Sequence, residues 1–358
     1  MGRAVKVGLV GTGGVAHNHL AGYSTVVGNR AVVWAACDPR SDVLEAFCNK
    51  YAIPHRFADA QSMVGSGEVD VAVVLTRPEI REAVILPALE HGVPILVEKP
   101  FGQSFSEAAR YVEAADQAGV PLAVSQNFRW FPEYQWMAGH LADGRLGDLR
   151  FIEHHVFQDR RQPPGAWRAE QKRLEMAIFS VHLIDRMQWL AVVVPLSVAA
   201  ITRRDEASEL PGEQFTTLIV QFEGGLVGQM TSSWMARGLA TNAARVDAER
   251  GSVTVERSGP MAGNATGRLQ VHEESVEIEA FVDNEVVRDG PRSYGYSLLS
   301  FLDAIEKGKE APHSGRDNLR TMAIMDAAYV SASRGGAMVQ VDEVTGGVRL
   351  TQGSRASS

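Results

Sequence analysis

Five short runs, at residues 5–10, 31–37, 69–75, 94–97 and 121–125, are nearly continuous in β-branched and small apolar side chains, and stretches of helical character at 17–25, 41–51, 80–91 and 104–118 separate them. Strands this uniformly apolar are buried on both faces, and strands that alternate with helices form a parallel sheet. The last of these helices opens with Ser104 and has Glu107 three residues on, the spacing of a reciprocal N-terminal cap. Residues 1–126 are therefore expected to form a doubly wound parallel α/β domain.

The texture changes after residue 129. Strand-like alternation at 149–158, 196–203, 214–222, 225–233, 243–247, 251–256, 268–272 and 276–280, with turn signals such as Glu223-Gly224-Gly225 between runs, predicts an open, mostly antiparallel sheet. Helices are expected at 132–143, 174–190, 293–307 and 317–334, and a loop at 257–267. This is a second, α+β domain over 127–350, followed by a small polar tail at 351–358 that is expected to be disordered. A large open sheet face needs a cover, so the chain is expected to be a homodimer or homotetramer through that sheet.

The glycine-rich turn Gly11-Thr12-Gly13-Gly14-Val15-Ala16 follows the first strand and opens the first helix. Gly11 permits the tight turn, Gly13 allows close approach of a pyrophosphate, and Ala16 is small enough for helix-on-strand packing. The unpaired N–H groups of the helix start favour an anion there, so Gly11, Gly13, Gly14, Val15 and Ala16 are candidate dinucleotide-binding residues. Asp38, at the end of the second strand, is placed to accept both adenosine ribose hydroxyls and to repel a 2′-phosphate, which predicts NAD. Arg40, two residues later, either neutralises such a phosphate, leaving NADP open, or is a solvated arginine.

Later strands of an open parallel sheet deliver their carboxyl ends to the same crevice. Thr76-Arg77-Pro78 and Glu98-Lys99-Pro100 should therefore line it, with Glu98 and Lys99 at the nicotinamide and Gln126, at the end of the last strand, reaching nicotinamide or substrate. Arg77 has two readings, phosphate contact or solvent. A lysine beside a nicotinamide suggests redox chemistry rather than nucleotide storage.

The net charge of -8 argues against a general nucleic-acid or anionic-membrane partner, leaving a small molecule. Two cysteines, Cys37 and Cys48, without a CxxC pair, suit a reducing cytoplasm. The chain enters a strand at once, no apolar run approaches the ~20 residues of a membrane span, and Lys6 stands where a myristoylation signal has Ser or Thr. Neither export nor anchoring is expected. His154 and His155 point to opposite strand faces, and no other tight ligand grouping occurs, so no metal is expected.

With the glycine turn, Asp38, Thr76-Arg77-Pro78, Glu98-Lys99-Pro100, Gln126-Asn127-Phe128-Arg129, His182-Leu183-Ile184-Asp185 and Ser314-Gly315-Arg316-Asp317-Asn318 in this order, the chain resembles the Gfo/Idh/MocA oxidoreductases over nearly its whole length. The resemblance implies a Rossmann domain, an α/β substrate domain with a dimerising face, and NAD- or NADP-dependent oxidation of a hydroxyl on a sugar, cyclitol or related polyol. It casts Lys99 as the hydrogen-bond donor to the reacting hydroxyl and His182 as proton acceptor, a role suited to a side chain that titrates near neutral pH. Asp185, one helical turn on, is expected to orient His182, to bind a substrate hydroxyl, or to pair with Arg186 or Arg168. Arg129, Trp167 and Arg168 are substrate-binding candidates, the last two in a segment, 160–168, that equally suits a subunit interface.

The departures from the family pattern are specific. Ile178 replaces the aspartate that many relatives carry four residues before the histidine, Arg173-Leu174-Glu175-Met176-Ala177 replaces a glycine-rich lead-in, and Ser180 stands at a frequent glycine site. Glu175 either enters the site or is exposed. The histidine that relatives carry soon after the fourth-strand proline is missing, with Arg81 and Glu82 nearby. A redox-neutral lyase or glycosidase that retains NAD and a non-catalytic NAD sensor are the alternatives.

Overall fold

A computed structural model describes residues 3–355 apart from 164, 260–262 and 284–287. The chain divides into two compact units, one made of the described residues up to Trp130 with Gly290–Asn318, the other of Phe131–Asp289 with the described residues from Leu319 on.

In the first unit, β1 (Val5–Val10), β2 (Ala31–Cys37), β3 (His55–Phe57), β4 (Val71–Val74), β5 (Ile95–Glu98) and β6 (Leu122–Ser125) form one parallel sheet in the order β3-β2-β1-β4-β5-β6. This is the doubly wound order whose crevice lies at the carboxyl ends of the strands. Strands β4, β5 and β6 are buried at every position, in keeping with their nearly continuous apolar runs. Helices α1 (Gly14–Gly22), α2 (Ser41–Tyr51), α3 (Ala60–Gly65), α4 (Glu82–Glu90) and α5 (Phe105–Ala118) connect them. The Ser104 hydroxyl accepts from the Glu107 N–H at 3.3 Å, as its spacing predicts. Neither β3 nor α3 was anticipated, because three and six residues are too few to show a period. The Asp59 carboxylate that caps α3 through the Ser62 N–H at 2.7 Å was the one legible sign.

In the second unit, β7 (Leu149–Phe157), β8 (Pro195–Arg203), β9 (Phe215–Phe222), β10 (Val227–Ser233), β11 (Thr241–Ala248), β12 (Gly251–Arg257), β13 (Ala265–Val271), β14 (Glu277–Phe281) and β15 (Val339–Gln340) form one sheet. Their order is β14-β13-β12-β11-β7-β10-β9-β8-β15. All pairs are antiparallel except β7 with β10. The stretch expected as a loop at 257–267 is strand at both ends, since β12 runs to Arg257 and β13 begins at Ala265; residues 260–262 lie outside the described residues. Helices α6 (Pro132–Ala142), α7 (Val181–Ala191), α9 (Gly315–Ser333) and α10 (Asp342–Thr345) complete the elements outside α8 (Asp289–Glu306). The single helix expected at 174–190 is instead α7 preceded by a wider π-helical turn, Met176–Ser180.

The segment Gly290–Asn318, which the sequence placed in the second domain, belongs to the first unit. Leu298, Phe301, Leu302 and Ala304 of α8 join the core of Val7, Leu9, Leu20 and Val71. Helices α8 and α1 cross at Gly22 and Gly295, where a Cβ on Gly22 would run into the Pro291 carbonyl. Beyond α8, the Val124 N–H donates to the His313 carbonyl at 2.9 Å beside β6. An amphipathic pattern shows that a face is buried but not which neighbour buries it.

The tail expected to be disordered is held as far as the description reaches. Arg320 donates to the Thr351 carbonyl at 3.0 Å, the Gly353 N–H to the Val192 carbonyl at 2.7 Å, and Arg355 to the Leu190 and Leu141 carbonyls at 2.7 and 3.1 Å. Helix ends leave carbonyls without intrahelical partners, and the Gly353 N–H and Arg355 guanidinium of this segment donate to carbonyls near the ends of α6 and α7. Residues 356–358 lie outside the described residues. No described helix is long and apolar enough to cross a membrane.

Candidate active site

The turn after β1 is built as the glycines require. Gly11 has φ +99°, a conformation that L side chains rarely adopt, and its N–H donates to the Cys37 carbonyl at 2.8 Å. A Cβ on Gly13 or Gly14 would meet nothing within 4 Å, so backbone at the start of α1 faces open space, and no side chain caps that helix end. Ala16 is fully buried against the sheet. This cradle fits a pyrophosphate.

Asp38 is buried and receives the Thr12 N–H at 3.1 Å, the Thr12 hydroxyl at 3.0 Å and the Arg40 N–H at 3.1 Å. The exposed Arg40 guanidinium adds bonds from Nε and Nη2 at 2.9 and 3.0 Å. Burial pushes the carboxyl up, but the bonds from Arg40 and Thr12 outweigh it and hold the pKa at about 2. Arg40 is thus folded onto the residue expected to select NAD. Arg77 is exposed on the loop after β4, and Thr76 is half-buried beside it.

The loop after β5 carries Lys99, half-buried, next to the buried Glu98. Glu98 Oε1 accepts from His19 Nε2 at 2.9 Å, and His19 Nδ1 pairs with the Tyr23 hydroxyl at 2.8 Å. Burial alone pushes the Glu98 carboxyl up, yet His19 by hydrogen bond and charge, with Lys99 and Arg81, holds it below the ordinary carboxylate range. Arg81 is the residue that sequence reasoning passed over. It is buried, donates to the Thr76 carbonyl at 3.1 and 2.8 Å, and binds the Pro100 carbonyl, so one guanidinium ties the loop after β4 to the loop carrying Lys99. Its only sequence sign was that it lies near the place of a histidine that relatives carry and this chain lacks. Gln126, at the end of β6, is buried and accepts the Arg129 N–H at 3.1 Å.

Arg129 departs from its expected role. Its side chain is 2% exposed and donates to the Pro312 carbonyl at 2.8 Å and to Asp317 at 2.6 Å. A guanidinium spent on fastening residues 312–317 to the first unit leaves no fork for a substrate.

In the second unit, His182 and Asp185 are both buried on α7. Asp185 Oδ1 accepts from Thr321 Oγ1 at 3.0 Å and from Gln188 Nε2 at 3.3 Å, and Gln188 in turn receives Arg320 Nε at 2.6 Å. Arg186 instead lies over the Tyr134 ring at 3.7 Å. The exposed reading of Glu175 is overturned: it is fully buried, and its Oε1 accepts from Ser180 and Ser232, each at 2.6 Å. Burial raises its pKa from 4.5 to about 7, the Glu213 charge adds to the rise, and the hydroxyls oppose it. Glu213 serves the same helix start, accepting the Leu174 and Met176 N–H groups at 3.1 and 3.0 Å and the Tyr329 hydroxyl at 2.8 Å. Two buried carboxyls thus replace the glycine-rich lead-in. Trp167 and Arg168 are half-buried in a short 3-10 turn, Trp167–Glu170, with the guanidinium 5.3 Å from the indole ring; residue 164 of that loop lies outside the described residues. His154 is buried while His155 is partly exposed, on opposite strand faces.

A dinucleotide cradle in one unit and a buried helical histidine on a second, sheet-based unit define a class of two-part nicotinamide-dependent oxidoreductases. Residues 5–126 match the oxidoreductase family with an NAD-binding Rossmann fold and residues 134–254 match the GFO/IDH/MocA C-terminal domain; the chain belongs to the Gfo/Idh/MocA oxidoreductases. Among similar proteins, D-apiose dehydrogenase of Paraburkholderia graminis is 28% identical over 345 residues, covering 92% of this chain and 88% of the relative. Inositol 2-dehydrogenase of Rhizobium meliloti is 24% identical over 340 residues, covering 92% and 97%. An Agrobacterium radiobacter oxidoreductase solved with NAD+, L-tartaric acid and magnesium has the same fold, with a TM-score of 0.84 at 22% identity over 95% of this chain and 99% of that one.

Proposed function

We propose that the chain oxidises a hydroxyl of a sugar, cyclitol or related polyol, or reduces the corresponding ketone, with NAD as the favoured cofactor. The observation that carries this reading is Lys99, half-buried directly after β5 on a loop pinned by Arg81, in the unit that holds the glycine cradle and Asp38. NAD, when bound, supplies the hydride acceptor. Gly11, Gly13, Gly14, Val15 and Ala16 cradle its pyrophosphate, Asp38 takes the adenosine ribose, and Thr76, Arg77, Glu98 and Gln126 line its remaining length. Lys99 donates a hydrogen bond to the reacting hydroxyl and steadies the oxygen as it loses its proton. His182 accepts that proton, and Asp185, one helical turn on, is held by Thr321 and Gln188.

Polyol-dependent NADH formation tests the reading, with nucleotide-induced thermal stabilisation as an independent check of cofactor binding. Lys99→Ala and His182→Ala are each expected to cut turnover by about 10² or more while leaving the NAD-induced shift. Full activity in His182→Ala would remove the proton-acceptor assignment. Assembly through the open face of the second sheet, where Ile201, Ile219 and Ile278 are exposed, is part of the same proposal. So is a reducing cytoplasmic location, which accords with the buried free thiols of Cys37 and Cys48.

A further inference from the structure

Beyond β7 the second unit gathers two guanidinium groups that have no acceptor among the described residues. Arg160 lies 4.8 Å from the Trp234 ring centre and 5.4 Å from that of Phe179, and Arg168 lies against Trp167. Among the described residues neither guanidinium makes a hydrogen bond or an ion pair, and Arg168 Nε is buried. The two charges are close enough that Arg168 adds to the effect of burial in lowering the Arg160 pKa.

Neutral donors without partners accompany them. Gln158 and Trp234 are buried, and among the described residues Gln158 Nε2 and Trp234 Nε1 make no hydrogen bond. The Gln158 N–H donates to the Ser233 carbonyl at 2.9 Å and the Arg160 N–H to the Trp234 carbonyl at 3.0 Å, so the two side chains continue the covered face of β7, two residues apart. Glu175 is the acid whose charge reaches Arg160, but its Oε1 is committed to Ser180 and Ser232 and it is half-protonated near neutral pH. Asp159, between them in sequence, pairs with Arg161 and Arg237.

A guanidinium immobilised on two aromatic faces loses water and rotamer freedom, and among the described residues no carboxylate bonds to it; the Glu175 charge acts on it only at a distance. A ligand oxyanion would, and the planar fork of arginine matches a carboxylate with two parallel bonds. We propose that Arg160 and Arg168 bind the carboxylate of an acidic polyol, so that the substrate is a sugar acid rather than a neutral sugar. Gln158 and the Trp234 N–H then serve its neighbouring oxygens, and the aromatic faces its C–H surface. This rests on the dehydrogenase reading above.

The test uses the full-length protein with saturating NAD or NADP and matched pairs: galactose with galacturonate, glucose with gluconate, xylose with xylonate, and glucose 6-phosphate to separate carboxylate from phosphate. One acid is expected to exceed its neutral parent in kcat/KM by about ten- to hundredfold, the effect of one charge-assisted pair. Arg160→Met and Arg168→Met should each reduce that ratio mainly through KM, with Arg168→Lys recovering part of it. Neutral parents turned over as well as every acid, a preference for the phosphate, or unchanged ratios in both arginine variants would overturn the proposal. Should no polyol be oxidised, the dehydrogenase reading fails, and calorimetric titration of the NAD-saturated protein with the same acids still decides the anion site. Binding lost in Arg160→Met supports it, and no binding by any acid removes it.

Discussion

Glu175 offers a quantitative test of the polar interior at the start of the His182 helix. Its carboxyl is fully buried and its pKa rises from 4.5 to about 7. Ionising it in the fold therefore costs about 3 kcal/mol more than in the unfolded chain. The sign follows from proton counting. Between pH 4.5 and about 7 the folded protein holds a proton that the unfolded chain has released, so this residue makes stability fall as pH rises through that window. Below it the contribution is at its most favourable, and above it the loss is complete. Glu175→Gln keeps an oxygen for Ser180 and Ser232 and places an amide beside the buried Thr216 hydroxyl. The variant should match the wild type near pH 4.5 and exceed it at pH 8 by up to about 3 kcal/mol, roughly 6–12 °C in Tm for a unit of this size. Glu213, whose pKa burial also raises, is present in both proteins, and its repulsion of Glu175 is already part of the Glu175 shift. Melting curves from pH 4.5 to 8.5 provide the assay. A gap that does not change with pH, or a wild type that is the more stable at pH 8, would refute a buried, proton-holding Glu175.

Two further perturbations address the cofactor unit. Asp38→Gly removes the carboxylate that receives both Arg40 bonds and frees that guanidinium for a 2′-phosphate; the NADP to NAD ratio of kcat/KM should rise about tenfold or more, and an unchanged ratio in steady-state kinetics would contradict it. Arg81→Met leaves the Thr76 and Pro100 carbonyls unserved and loosens the Lys99 loop. Because a displacement of about 1 Å can cost ~10² in rate, kcat should drop by about that factor while the NAD-induced thermal shift persists, and a wild-type kcat would show that the clamp does not position Lys99.

The glycine turn, Asp38 and the Glu98-Lys99-Pro100 strand end were legible because each depends on a local pattern: one residue type at one place in a βα unit. The π-helical turn before α7 was not, since Arg173 to Ala177 reads as ordinary helix and its widening comes with Glu213, 38 residues after Glu175, accepting the Leu174 and Met176 N–H groups. Arg129 shows the same limit from the other side. Its position after β6 suggested a substrate arginine, and only the return of residues 290–318 to the first unit supplies Asp317 and Pro312 to bind it. Arg81, His19 and Glu175 carry no distance in their spacing; what each touches lies in another strand, loop or helix.

Local chemistry and periodicity were therefore enough for the parallel sheet, its nucleotide turn and the mostly antiparallel second sheet, because backbone sterics and the burial of apolar faces act over a few residues at a time; the kind of reaction came from the family resemblance. Which donors are satisfied and which are left over for a ligand was decided by tertiary packing alone. Arg129 and Arg168 were both substrate-binding candidates in the sequence, yet the fold brings a carboxylate to the first and an aromatic ring to the second. A charge is neutralised or left available by neighbours distant along the chain, and their arrival is a property of the fold.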